Sequence, residues 1–168
     1  MLQSWEAYQA EAQLVGWRTG SYPEIAQLKA SQLVSKSVKI IEIEMATASL
    51  ADFEHISVDF TLKALRARSI DRFVGWFVCE FGSGEHKVTL DTGPMAPETH
   101  WKQMVFHLEK NRDVTRGEKM VGRIDIRTGA GYDREMNVNL QYRTETENVL
   151  NRKDYTVVIV PDTTNWQR

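Results

Sequence analysis

His100 and Trp101 stand side by side at the end of the stretch Leu90-Asp91-Thr92-Gly93-Pro94-Met95-Ala96-Pro97-Glu98-Thr99-His100-Trp101-Lys102-Gln103, where an imidazole adjoins an indole. An imidazole titrates near neutral pH and orients or relays a proton when a carboxylate holds its other nitrogen. An indole offers a π face to a cation. Pro94 and Pro97 cannot donate to a β-ladder and bias the residues before them to extended backbone. The stretch therefore reads as an ordered loop ahead of a strand from Trp101 to Leu108. Each residue also has an ordinary reading. Single histidines are mostly structural or solvated, an aromatic at a strand start is often packing, and Thr99 most simply caps the turn through its hydroxyl. Lys102 should point opposite to Trp101, into solvent. The sequence shows no acidic partner for His100.

The elements that must hold these residues are mostly strands. Ile41, Ile43 and Met45 alternate with Glu42 and Glu44, and Ile56, Val58, Phe60, Leu62 and Ala64 alternate with Ser57, Asp59, Thr61 and Lys63. The run 73–81 is apolar on both faces apart from Glu80. Strands over 87–92, 101–108, 120–127, 136–142 and 155–160 follow, before a tail from Pro161 to Arg168. The links are too short for helical crossovers, so the sheet should be mainly antiparallel. The expected fold is mainly β: an antiparallel barrel or barrel-like sandwich of about eight or more strands over residues 34–168, preceded by a helical segment over 1–33. In that segment Leu2, Trp5, Tyr8, Ala12 and Val15 share a helical face that ends at Gly16 and Gly20. Ser21 and Glu24 have capping-box spacing for a second helix through Ile25, Leu28 and Leu33.

At 168 residues with 42% hydrophobic and 26% charged side chains, the chain can bury one globular core. A net charge of −2 gives no basic footprint for a nucleic-acid backbone and suits a cationic peptide better. Cys79 is the only cysteine, so no internal disulfide forms, and its apolar surroundings predict a buried small hydrophobe. No apolar stretch approaches the roughly 18 residues of a membrane span, and no signal peptide opens the chain, so a cytoplasmic or nuclear protein is expected.

Other chemistries find little support. His55, His86 and His107 have no metal-ligand spacing with each other or with Cys79, and no Gly-x-Ser-x-Gly turn is present. Gly82-Ser83-Gly84 and Gly129-Ala130-Gly131 each lie between expected strands and read as hairpin turns, not phosphate loops. Glu42 and Glu44 share a strand face and read as solvated, with contact to a basic peptide as the alternative.

Thr99-His100-Trp101-Lys102-Gln103, with its two prolines ahead, resembles the Thr-His-Trp loop of the protein arginine N-methyltransferases. Phe73 to Phe81, Gly122 to Arg127 and Arg134 to Leu140 are similar to strands of that family's C-terminal barrel, and the resemblance covers about residues 34–143. It implies that His100 lies beside a substrate-arginine pocket, catalytic through an acidic residue of the methyl-donor domain, and that Thr99 and Trp101 belong to the substrate-side wall. Methyl transfer to a guanidinium also needs carboxylates that localise its charge, which a histidine and an indole at the pocket rim cannot supply.

The family's S-adenosylmethionine-binding domain, with its glycine-rich loop and two catalytic glutamates, has no match here. Residues 1–33 are too short for it, one βαβ unit alone taking about 30 residues. The resemblance thus implies S-adenosylmethionine as donor, bound in a domain absent from this chain, with no metal and an inactive isolated chain. Residues 2–33 fall where the family inserts a dimerisation arm, whereas the residues alone suggest a helix covering one barrel end. Implied partners are an arginine-containing protein substrate, a donor-binding domain or subunit, and another copy or a different subunit in an oligomer, with no nucleic acid and no membrane. The competing reading is a non-catalytic barrel that contacts a methyltransferase subunit or a cationic peptide. A third is an unrelated barrel with a coincidental Thr-His-Trp.

Overall fold

The computed structural model describes residues 21–82, 84–129 and 135–158. They form nine strands: β1 (Glu24–Ala26), β2 (His55–Lys63), β3 (Arg68–Gly75), β4 (Val78–Phe81), β5 (Val88–Asp91), β6 (Gln103–Val114), β7 (Lys119–Thr128), β8 (Glu135–Thr144) and β9 (Asn151–Val158). One four-residue helix, α1 (Ala51–Glu54), precedes β2. The strands make sheets of order β1-β6-β3, β2-β7-β8-β9 and β4-β5, and every strand pairing is antiparallel.

Period-two patterning carries the architecture. Along β8, Val138, Leu140, Tyr142 and Thr144 are buried at alternate positions, and along β9 Tyr155 and Val157 repeat the pattern. These inward faces meet the second sheet through edge-to-face aromatic pairs. Phe106 lies 5.1 Å from Tyr155, Phe73 lies 5.3 Å from Tyr142, and Phe60 lies 5.6 Å from Phe73, measured between ring centroids. The Tyr155 hydroxyl, buried among them, donates to the His107 carbonyl at 2.7 Å, so the polar end of a core residue is satisfied by the opposite sheet. On one side the sandwich is joined where the Thr156 N–H donates to the Ser21 carbonyl at 2.8 Å. On the other, β2 and β3 border an open cleft. The result is the expected barrel-like sandwich.

Several boundaries differ from the sequence reading. The second helix is replaced by β1, paired with β6 in the register Glu24↔Val105, and by a single 3-10 turn at Ala30–Gln32. The free edge of β6 offers backbone partners that outweigh a local capping signal. Residues 41–45, whose alternation was expected to make a strand, pair with no sheet among the described residues, and neither do residues 36–40 before them. The apolar run 73–81 breaks at Trp76 and Phe77 into β3 and β4. The last strand starts earlier than expected, at Asn151, and is followed to Val158, while the tail lies outside the described residues. Cys79 is half-buried, because β4 belongs to a projecting two-stranded hairpin instead of the core sheets. The expected first helix over residues 2–15 also lies outside the described residues. Gly82 (φ 76°) and Gly84 (φ 57°) turn the β4–β5 hairpin as predicted, and Gly129 leads out of β7 toward antiparallel β8, residues 130–134 being outside the described residues.

Candidate functional site

The loop from Thr92 to Lys102 is fixed at both ends before its tip does anything. At its start Thr92 is buried against the break between β3 and β4. Its hydroxyl donates to the Phe77 carbonyl at 2.9 Å and accepts the Phe77 N–H at 3.3 Å. Gly93 follows because space demands it: a Cβ there would lie 2.5 Å from Nε1 of Trp76. At the other end Gln103 is buried with both halves of its amide engaged. Nε2 donates to the Thr92 carbonyl at 2.6 Å, and Oε1 accepts the Leu28 N–H at 2.8 Å. One side chain thereby ties the loop's two ends to each other and to the segment after β1.

Between these anchors the chain makes a sharp turn. The Lys102 N–H donates to the Thr99 carbonyl at 3.3 Å, and Lys102 adopts φ 55°, a left-handed conformation that an extended strand cannot include. The strand expected from Trp101 therefore starts at Gln103, and it runs on to Val114. The turn is capped by the Thr99 backbone. Its hydroxyl, expected to do the capping, is buried with no hydrogen-bond partner among the described residues. Lys102 is solvent-exposed, as expected.

His100 and Trp101 occupy the two central positions of this turn and face outward. Trp101 is 55% exposed and meets Phe77 edge to face, with centroids 5.9 Å apart and ring planes at 74°. The His100 ring lies 6.3 Å from the indole at 78°. It is exposed, and among the described residues it has no hydrogen bond or ion pair. The turn thus presents an aromatic wall with an unengaged imidazole at its rim. That combination can bound a cation-accepting pocket and exchange a proton, but it supplies no carboxylate to orient a guanidinium. The three predicted residues stand together in one turn. Phe77 and Gln103 escaped the sequence reading. A glutamine two residues before buried Val105, on the same strand face, was the available signal for Gln103.

Several charged groups are engaged elsewhere. On the outer face of β7, Asp125 receives His55 Nε2 at 2.9 Å and Arg127 Nε at 2.9 Å, and these two partners, His55 foremost, hold its carboxyl well below the usual carboxylate range. His107 Nε2 pairs with Glu24 at 2.8 Å, which pins β1 to β6. Glu42 pairs with Lys39 at 2.8 Å in solvent. No three His, Cys, Asp or Glu side chains among the described residues are grouped to hold a metal, and no described helix is long and apolar enough to cross a membrane.

The sequence matches the arginine methyltransferase oligomerization subdomain over residues 1–147. It is 29% identical over 129 residues to protein arginine N-methyltransferase 1 of Saccharomyces cerevisiae, covering 76% of this chain and 37% of that protein. To protein arginine N-methyltransferase 8-B of Danio rerio it is 31% identical over 119 residues, covering 71% and 28%. The chain spans about a third of the length of these curated relatives. Among solved structures it superposes on a chain of the Trypanosoma brucei PRMT1 enzyme-prozyme heterotetrameric complex with AdoHcy, with TM-score 0.76, 22% identity and coverage of 90% and 46%. The same fold recurs in Arabidopsis thaliana protein arginine methyltransferase 10, with TM-score 0.73, 17% identity and coverage of 90% and 51%.

Proposed function

Since the chain belongs to the arginine methyltransferase family through its oligomerization subdomain, we propose that it is the substrate-side barrel for methyl transfer from S-adenosylmethionine to protein arginine. The observation that carries this reading is the Thr99–Lys102 turn, where His100 is exposed and unengaged beside the Trp101–Phe77 pair. An imidazole held at a rim with no partner among the described residues suits a carboxylate brought by another domain. Trp101 then bounds the space for the arginine side chain, and Phe77 sets the angle of that wall. The donor and the charge-localising carboxylates come from outside the described residues, in which Gly82 and Gly84 turn the β4–β5 hairpin through a single 3-10 turn and open no α-helix. On this reading the isolated chain is inactive, and it works in the cytoplasm or nucleus as part of an oligomer.

The experiment is complementation. A donor-binding domain from a relative, mixed with or fused to this chain, should methylate an arginine peptide, and His100→Ala should lower that turnover. Unchanged turnover in the variant would remove His100 from the site. A second reading, a non-catalytic module that contacts a methyltransferase subunit, is favoured by the oligomerization subdomain itself and by likeness to a complex described as enzyme and prozyme. It predicts that the chain binds a methyltransferase subunit without completing any active site.

A further inference from the structure

Residues 36–44 have the sequence of a strand and the situation of a strap. Apolar Ile41 and Ile43 alternate with Glu42 and Glu44, yet no backbone hydrogen bond ties this segment to a sheet among the described residues. Ile41 is 45% exposed and Met45 72%. The strap borders a cleft of about 1340 Å³ lined in part by Phe60, Leu62, Ile70 and Leu140. It lies toward the β4–β5 hairpin, whose Val78, Cys79, Glu80 and Phe81 line the same cleft.

At the near end of the strap an antiparallel ladder with the chain after β2 has already begun. Ser35 bridges Ala64, and the Leu65 N–H donates to the Val34 carbonyl at 2.8 Å, which makes Ser35 and Ala64 a non-hydrogen-bonded pair. Continued one residue at a time, this register sets Lys36 opposite Lys63 and Glu44 opposite His55, so the strap spans the whole of β2. Among the described residues the edge it would meet is open. The Ala64 N–H points the other way, to the Glu118 carbonyl, so residues 55, 57, 59, 61 and 63 turn their backbone groups toward the strap's side, and β7 is the one described strand paired with β2. In this register Ile41 falls opposite Val58 and Ile43 opposite Ile56, with Glu44 across from His55. Lys36 against Lys63 is a like-charge pair that opposes full closure.

We propose that residues 36–44 form a two-position strap, seen here toward the β4–β5 hairpin and able to zip antiparallel onto the free edge of β2 in the register set by Ser35 and Ala64, adding a fifth strand beside the cleft. The open position leaves the cleft accessible. The zipped position covers Ile41 and Ile43 and narrows it.

Paired cysteines in the full chain test the register. In a Cys79→Ser background, Ile41→Cys with Val58→Cys sets two thiols at a non-hydrogen-bonded position, where side chains approach most closely. Under a mild oxidant this pair should close at least about tenfold faster than the offset pair Ile41→Cys with Leu62→Cys. Equal rates, or faster closure of the offset pair, overturn the proposal. Amide exchange on the unaltered chain gives a second reading that does not depend on variants folding. The N–H groups of Val38, Ile40 and Glu42 face β2 in the zipped register and should exchange more slowly than those of Lys39, Ile41 and Ile43. Exchange without that alternation overturns it as well.

Discussion

Trp101 stands edge to face on Phe77, 5.9 Å between centroids, while more than half of the indole remains exposed. An edge-to-face aromatic pair contributes about 0.5–1.5 kcal/mol beyond the area it buries, so Trp101→Ala should lower unfolding stability by about that amount together with the partial burial of a half-exposed indole, less than the roughly 3–5 kcal/mol of a core aromatic. In an assembly with a donor-binding domain the same variant should lose about tenfold or more in kcat/KM toward an arginine peptide, by the loss of roughly 1.4 kcal/mol of positioning. Urea titration beside a methylation assay checks both. A large stability loss with normal turnover would make Trp101 a packing residue.

Phe77→Leu separates the wall from its support. The Phe77 backbone keeps its bonds to Thr92, so the loop stays anchored, but Trp101 loses the ring that sets its angle. The expected result is a raised KM with the far-ultraviolet spectrum unchanged. An unchanged KM would show that Trp101 does not depend on Phe77 for its pose.

Gln103→Leu should be costly despite its similar volume. It leaves the Leu28 N–H and the Thr92 carbonyl buried without partners, at about 1–3 kcal/mol for each group. A drop of several kcal/mol in urea-derived stability is expected, together with faster amide exchange at Leu28. A loss below about 1 kcal/mol would mean that water replaces the glutamine.

The strand alternation of β2, β7, β8 and β9 was legible because each strand buries one face, and burial is what writes a period of two into a sequence. The Thr-His-Trp turn was legible from its residues and prolines. The fate of Ser21 to Leu33 was not, because β1 exists through the edge of β6, some 80 residues away, and local capping signals carry no information about that edge. The start of β6 was misplaced because the left-handed Lys102 belongs to a residue type that gives no warning of it. Residues 36–44 show the converse, a strand pattern without a strand.

Glu118 gives a prediction in pH. Its buried carboxylate accepts the Thr115 N–H at 2.9 Å, the Thr115 hydroxyl at 3.1 Å and the Thr146 hydroxyl at 2.9 Å, so it joins the β6–β7 turn to the β8–β9 turn. These donors, the Thr115 N–H foremost, lower its pKa from the ordinary 4.5. A carboxyl depressed in the folded state stabilises fully above its unfolded value, and that contribution disappears as pH falls through the folded one. Glu118→Gln should therefore be less stable than the parent at pH 7, and the gap should narrow below about pH 4.5. A gap that stays constant from pH 7 to pH 3 would show that the charge contributes nothing.

Lys102 tests whether the turn geometry itself matters. At φ 55° a lysine is held in a conformation that glycine adopts freely and that a β-branched residue resists most. Lys102→Gly should leave stability within about 1 kcal/mol of the parent, since relief of the left-handed penalty offsets the greater freedom of the unfolded chain. Lys102→Val should cost more than 1 kcal/mol, roughly the price of the strained backbone, and should shift His100 and Trp101 if the chain relaxes by extending β6 toward them. Tryptophan fluorescence in a set of Trp101→Phe controls isolates the signal of that indole. A red shift for Lys102→Val with none for Lys102→Gly is the expected pattern, and identical spectra and stabilities for the two variants would show that the left-handed turn does not hold the pair in place.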